Sequence, residues 1–283
     1  MTTSGATTYL PSWKDSKDPS DGPPLRTCDE DGTHHYSTIK KLALSGVQYI
    51  YACNNPSEPT SAMLFGTLVH FLVLGARPSA KPLVCYDGKR QGNAWKDFEE
   101  ANHGAEILTA SEWKAGERVA NAVLRDPVAR ARLDGARLEV PLVWEENGLK
   151  FSTSGIDIVT ADDAAGDLKT TTSTFPDAWT RQAFKMLYPQ QLAFYRRGLR
   201  ANGIACSKGL FLLGVETKPP FEVVDLELTE GMIDFADRTV SLWLEKLRVY
   251  KESAQWPGYA QSPVPFDVPS WMRDDDDDGD ADA

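Results

Sequence analysis

No two of the four cysteines, Cys28, Cys53, Cys85 and Cys206, stand in a C-x-x-C spacing, and no run of eighteen apolar residues occurs in the 283-residue chain. The first absence argues against a zinc knuckle or a disulfide framework and leaves four isolated, reduced thiols. The second argues against a membrane-spanning helix. The opening stretch, MTTSGATTYLPSWKDSKDPSDGPP, lacks the charged and apolar regions of a secretory signal, so the expectation is a cytoplasmic protein. No internal repeat is found, which removes solenoids and propellers. What remains, at 41% hydrophobic residues, is a chain able to bury one large core.

Acids are missing from one long stretch. The formal net charge is −11, which at first argues against a polyanionic partner. Seven of the acids lie in the terminal run from Asp274 to Asp282, and without them the charge is −4. Between Ala178 and Val215 there is no acid at all, while Arg181, Lys185, Arg196, Arg197, Arg200 and Lys208 give a local charge of +6. The acidic run itself should be a solvated tail, serving solubility or mimicking nucleic acid.

Residues 1–35 are rich in Ser, Thr, Pro, Gly and Asp and read as a flexible arm. Residues 36–272 are expected to form a single domain and residues 273–283 a disordered acidic tail. STIKKLALSG reads as a short helix. TSAMLFGTLVHFLVLGARP is apolar nearly all round, which predicts a buried helix stopped at Gly75 and Pro78. Further helices are expected near 93–102, 111–124 and 128–133, with loops between them. Strands follow near 137–144, 149–160 and 164–169 as a meander, then a helical region from Pro176 to about Asn202. Two more strands near 208–216 and 221–228 precede a helix near 230–252 that opens at Thr229. This order predicts an α/β fold, a mixed central sheet flanked by helices with helical decoration at the N-terminal side.

The segment GIDIVTADDAAGDLKT, residues 155–170, places Asp157, Asp162, Asp163, Asp167 and Lys169 on what reads as a hairpin. Strand alternation puts Asp167 and Lys169 on one face. A turn centred on Asp162 sets Asp157 across from Asp167. Two carboxylates about 4 Å apart repel by roughly 4 kcal/mol at an effective dielectric of ~20, so a cation is expected there. Mg²⁺ would suit such oxygen ligands, with Lys169 beside it to hold or activate a water. The other reading is a solvated turn, which suits Asp162 and Asp163 best, since turns favour Asp for their own reasons.

Asp157 followed by Asp167-Leu168-Lys169-Thr170 resembles the PD-(D/E)xK nuclease signature of RecB-like and RecE-like exonucleases. Two more motifs of that family occur in order. Gly66 to His70 is similar to its G-x-x-x-H helix, and Tyr188-x-x-Gln191-x-x-x-Tyr195 to its Y-x-x-Q-x-x-x-Y element. Pro189 interrupts the second, so a helix is expected to kink there or restart near Tyr188. Where the family often shows R-P-D, this chain has Gly155-Ile156-Asp157. The resemblance spans roughly residues 36–272, and its nearest form is the phage-type RecE-like exonuclease, also known as exodeoxyribonuclease VIII.

The resemblance implies a restriction-endonuclease-like core and hydrolysis of DNA phosphodiesters. His70, Asp157, Asp167 and the Leu168 carbonyl would bind Mg²⁺ or Mn²⁺. Lys169, Gln191 and Tyr195 would complete the catalytic set together with Asp157 and Asp167, and Glu139 is a candidate for a supporting carboxylate. Arg181, Lys185, Tyr188, Arg196, Arg197 and Arg200 would face DNA. The same resemblance implies 5′-to-3′ resection of linear duplex ends, a single-strand annealing recombinase as partner, and a homo-oligomeric ring with its basic face inward. An iron–sulfur relative is disfavoured by the scattered cysteines. A non-catalytic DNA-end-binding or scaffold protein and a RecB-like endonuclease are the alternatives.

Overall fold

The computed structural model describes residues 32–56, 58–75, 81–268 and 272. Most of the expected arm and the acidic tail lie outside these residues. The chain carries its sheet in the second half. β4 (Arg137–Glu146) and β5 (Leu149–Val159) form an antiparallel hairpin around Asn147 and Gly148, whose φ values of 52° and 75° match the positive angles that a two-residue hairpin turn demands. β6 (Ala165–Thr171) returns antiparallel to β5, β7 (Leu210–Glu216) runs parallel to β6, and β8 (Val223–Glu227) closes that edge antiparallel. β1 (Thr33–His34) adds a short parallel pairing to β5 through Lys150 and Phe151. Residues 33–35 therefore belong to the fold rather than to the arm expected there.

β6 and β7 are joined by a pair of helices, α7 (Pro176–Met186) and α8 (Tyr188–Ala201). Leu187 between them takes a left-handed conformation at φ 61°, and Pro189 sits in the first turn of α8, where its missing N–H costs nothing. This is the restart that Pro189 implied. β7 is buried on both faces, as a central parallel strand should be. Phe211, Leu213 and Val215 pack under α3 (Ser61–Leu74) and α5 (Ala110–Arg125), whereas Leu210 and Leu212 pack with α8 and with α9 (Glu230–Ser253).

The remaining elements are α1 (Tyr36–Ile39), a 3₁₀ turn (Lys40–Ala43), α2 (Gly46–Asn54), β2 (Leu83–Tyr86), α4 (Asn93–Ala101), β3 (Glu106–Thr109) and α6 (Pro127–Leu133). β2 and β3 form a separate two-stranded parallel sheet where only loops were expected. Each is four residues long, too short for alternation to stand out from loop sequence.

The apolar helix α3 also departs from expectation. Leu68, Val69 and Leu74 are buried, but Met63, Thr67 and Phe71, one stripe at i, i+4 and i+8, are exposed. Composition gave no contrast from which to tell the covered side from the open one. Among the described residues no helix is long and apolar enough to cross a membrane.

Candidate active site

The pairs Ile158↔Gly166 and Val159↔Ala165 set the β5–β6 register, and each sums to the 324 expected from a turn at Asp162. The next pair in that register is Asp157 and Asp167. Backbone pairing between the strands stops short of it. The N–H of Leu168 instead donates to Oδ2 of Asp157 at 2.8 Å, so a carboxylate replaces the neighbouring strand's carbonyl where β5 and β6 part. The Leu168 side chain itself is core, fully buried with Phe211 and Leu213.

On the other side of β5 the ladder carries Leu138↔Ile158 and Val140↔Ile156, which brackets Glu139 opposite Asp157. Acids on three neighbouring strands thus line up across the sheet. Glu139, Asp157 and Asp167 are each at most 5% exposed. Glu139 also adopts φ +50°, a left-handed conformation that costs a non-glycine residue about 1 kcal/mol or more.

His70 reaches this row from α3. Its Nδ1 lies 3.5 Å from Asp157 Oδ2, and one ligand atom each from His70, Glu139 and Asp157 all fall within 4.8 Å of one another. Gly66, one helical turn earlier, faces Thr170 of β6, and a Cβ there would meet Thr170 Oγ1 at 3.4 Å, an ordinary contact. Alanine would not be excluded by that contact alone.

Asp167 is turned elsewhere. Its Oδ2 ion-pairs with Lys169 Nζ, and Gln191 Nε2 donates to its Oδ1 at 3.4 Å. Gln191 Nε2 also donates to the Tyr195 hydroxyl at 2.9 Å. The Lys169 ammonium lies 4.8 Å from the centroid of the Tyr188 ring, within cation–π range. Tyr188, Gln191 and Tyr195, which helical spacing places on one stripe of α8, therefore lie over Asp167 and Lys169.

Burial alone would lower the pKa of Lys169, but the Asp167 and Asp157 carboxylates outweigh it and hold the group above the ordinary lysine range. Lys169 is thus an ammonium, a donor and a positive charge rather than a base that takes a proton from water. Burial, reinforced by Asp167, raises the Tyr195 phenol and keeps it protonated. Tyr36, which spacing did not single out, donates from its hydroxyl to the Leu187 carbonyl, and its ring lies 6.4 Å from that of Tyr195.

Glu139, Asp157 and Asp167 bring three carboxyl groups into one buried row, with the Lys169 ammonium on Asp167 and the His70 imidazole beside Asp157. Crowding buried carboxyl groups is costly, and a divalent cation among them would offset that cost. Two carboxylates and an imidazole within reach of one point fit a small divalent ion such as Mg²⁺ or Mn²⁺. This donor set differs from the expected one, since Glu139 takes the place beside His70 and Asp157, while Asp167 is held by Lys169 and Gln191. Leu168 contributes its N–H to Asp157.

The basic residues expected to face DNA divide into three groups. Arg181 and Lys185 are exposed on α7. Arg196 is half-buried and Arg200 exposed, both on the far half of α8. Burial and then Arg200 depress the Arg196 guanidinium, and Arg200 Nε donates to the Ala205 carbonyl at 3.3 Å. Arg197 is committed inside the fold. It donates to Asp237 Oδ1 at 2.8 Å, to Glu146 Oε1 at 2.7 Å and to the Asp237 carbonyl at 3.0 Å. The acid-free stretch is consequently not one basic surface, because β4 and α9 bring acids to it that a linear count cannot see. Arg197→Ala is expected to destabilise the protein by about 2 kcal/mol through loss of these charge-assisted bonds, with DNA affinity unchanged. Denaturant unfolding beside a binding titration checks both halves.

Residues 36–262 match the family model described as "PDDEXK-like domain of unknown function (DUF3799)". The chain is similar in fold to a protein of Eubacterium rectale whose crystal structure is described as that of a "Putative exonuclease". The two share 16% identity over 85% of this chain and 92% of that one, with a TM-score of 0.56. A further solved structure, LHK-Exo in complex with dAMP, aligns at 15% identity over 68% of this chain and 94% of that one, with a TM-score of 0.26. No curated protein matches the chain.

Proposed function

The chain belongs to the PDDEXK-like domain family DUF3799, and from that premise we propose that it is a metal-dependent DNA nuclease, specifically an exonuclease acting on the ends of linear duplex DNA. The observation that carries the reading is the buried row of Glu139, Asp157 and Asp167, with His70 at one end and the Lys169 ammonium at the other. Two carboxylates and an imidazole converging within the sheet are a donor set that suits a divalent cation.

In this reading His70, Glu139 and Asp157 would hold a Mg²⁺ or Mn²⁺ ion, which would supply Lewis-acid chemistry toward the phosphate. Lys169, held charged by Asp167, donates to the phosphate as negative charge builds on its oxygens. Gln191 fixes Asp167 and Tyr195, so the lysine is aimed before substrate arrives. Tyr188 covers the lysine's other side and limits water. Arg181 and Lys185, exposed on the helix just before this stripe, contact the backbone of the DNA.

The motif set His70, Asp157, Asp167-Leu168-Lys169 and Tyr188–Tyr195 favours the RecE-like form, and with it 5′-to-3′ resection that leaves a 3′ single strand for an annealing recombinase. A homo-oligomeric ring with the Arg181–Lys185 face inward would let an acidic subunit hold a polyanion.

The test uses the full chain on linear duplex labelled separately at each 5′ end and on unlabelled closed-circular duplex, with Mg²⁺, with Mn²⁺ and with chelator. Metal-dependent loss of the 5′ label from linear DNA alone is the expected result. Cleavage of circles would point to an endonuclease. Inertness of both substrates under every condition would leave a DNA-end-binding scaffold and overturn the nuclease reading.

A further inference from the structure

We infer that Lys40, backed by Lys41, forms an anion subsite beside Lys169 that takes a second phosphate of the substrate strand, distinct from the one that is cut. The inference rests on the nuclease reading and extends it to a segment that precedes every motif of the sequence.

Lys40 opens the 3₁₀ turn that follows α1, four residues after Tyr36. Residues four apart on a helix share a face. Tyr36 fixes where that face looks, since its hydroxyl donates to the Leu187 carbonyl and its ring packs 5.7 Å from Phe194 and 6.4 Å from Tyr195. The face bearing Lys40 is therefore turned toward the start of α8, the helix whose Tyr188 lies against Lys169.

A partly buried ammonium ordinarily has a carboxylate beside it, because desolvating an unpaired charge is expensive. Among the described residues no acid pairs with Lys40. Burial first, and then the like charges of Lys41 and Lys169, depress its pKa below the usual lysine range. Lys169 has its own counter-charge in Asp167, and Lys40 has none. The fold thus keeps one ammonium uncompensated at the edge of a site built for a polyanion. A phosphate arriving there would relieve the repulsion between Lys40 and Lys169, so its attraction is greatest when the substrate is seated.

The experiment measures equilibrium binding of the full chain to short linear duplex at several KCl concentrations, with Ca²⁺ replacing the catalytic ion. For Lys40→Gln the affinity should fall about tenfold, and the slope of log K against log salt should shrink by about 0.9, the signature of one lost phosphate contact. Lys40→Arg should keep the slope, and Lys246→Gln, an exposed change on α9, should match the wild type. Inorganic pyrophosphate should raise the melting temperature of the wild type and not of Lys40→Gln. A loss seen only with 5′-phosphorylated ends assigns the subsite to the terminal phosphate, and a loss with both ends assigns it to an internal one. An unchanged salt slope together with an unchanged pyrophosphate response would overturn the inference even if DNA is cleaved. Pyrophosphate stabilisation that depends on Lys40 in a chain that cleaves no DNA would uphold the subsite and remove the nuclease reading.

Discussion

Lys169→Met is expected to reduce DNA hydrolysis by about 10³-fold or more and, in the metal-free protein, to lower the unfolding free energy by about 3 kcal/mol. Both effects have one source. The ammonium is the partner of Asp167, whose side chain is only 3% exposed, and its removal leaves a buried carboxylate with one long hydrogen bond from Gln191. Such a group must either stay charged in a poor medium or take up a proton. Because folding raises the pKa of Lys169, its stabilising contribution is complete below the unfolded value of 10.5 and is lost only as pH climbs past the higher folded value. The comparison therefore belongs at neutral pH, where the whole effect is present. Asp167→Asn combined with Lys169→Met should bring stability back to within about 1 kcal/mol of wild type, since charge and counter-charge leave together. Hydrolysis should not return. Denaturant midpoints in chelator and single-turnover cleavage read the two effects separately, and a fully active Lys169→Met protein would exclude the role given to the lysine.

Glu139→Gln should behave in the opposite sense toward stability. In chelator it removes one of three crowded carboxylates, so the variant should be at least as stable as the wild type. If the site binds a divalent ion, saturation at a hundred times its dissociation constant should stabilise the wild type by about 2.7 kcal/mol, and most of that gain should be absent from the variant. Turnover should fall by about 10² to 10³-fold. The pattern separates a metal-holding carboxylate from a structural one, whose loss would weaken the metal-free protein. Glu139→Gly tests the backbone as well, because glycine accepts the +50° φ without strain and should add about 1 kcal/mol of stability while losing the ion. A melting temperature that rises equally with Mn²⁺ in wild type and Glu139→Gln would remove Glu139 from the ion's ligands.

Much of this site is legible in residues close together in sequence. The hairpin register follows from the turn at Asp162 and needs no knowledge of the rest of the chain. The break before α8 follows from Pro189, and the common stripe of Tyr188, Gln191 and Tyr195 from helical spacing, while its place over Asp167 and Lys169 is what the family resemblance implied. Arg197 and α3 were not legible in the same way. The partners of Arg197 come from residues 146 and 237, and the exposed stripe of Met63, Thr67 and Phe71 differs from the buried one in location rather than in chemistry.

Glu139 shows where the boundary runs. The Asn147-Gly148 turn sets Glu146 against Leu149 and Glu145 against Lys150, a register that, carried straight on, would place Leu138 rather than Glu139 opposite Asp157. Between Leu142↔Thr153 and Val140↔Ile156 the hairpin slips by one residue, across from Pro141, which has no N–H to give the ladder. That single slip turns a second carboxylate to Asp157. The sequence by itself determined the alternation that puts Asp167 and Lys169 on one face, the facing of Asp157 and Asp167 across the turn, and the helical stripes bearing His70 and Gln191. Those depend on backbone periods that every strand and helix obeys. Only the tertiary structure decided that Glu139 joins His70 and Asp157, that Asp167 is held by its lysine, and that Lys40 stands nearby with no acid paired to it among the described residues. These depend on a ladder slip and on the approach of distant segments, which the packing of the whole core sets and no local pattern records.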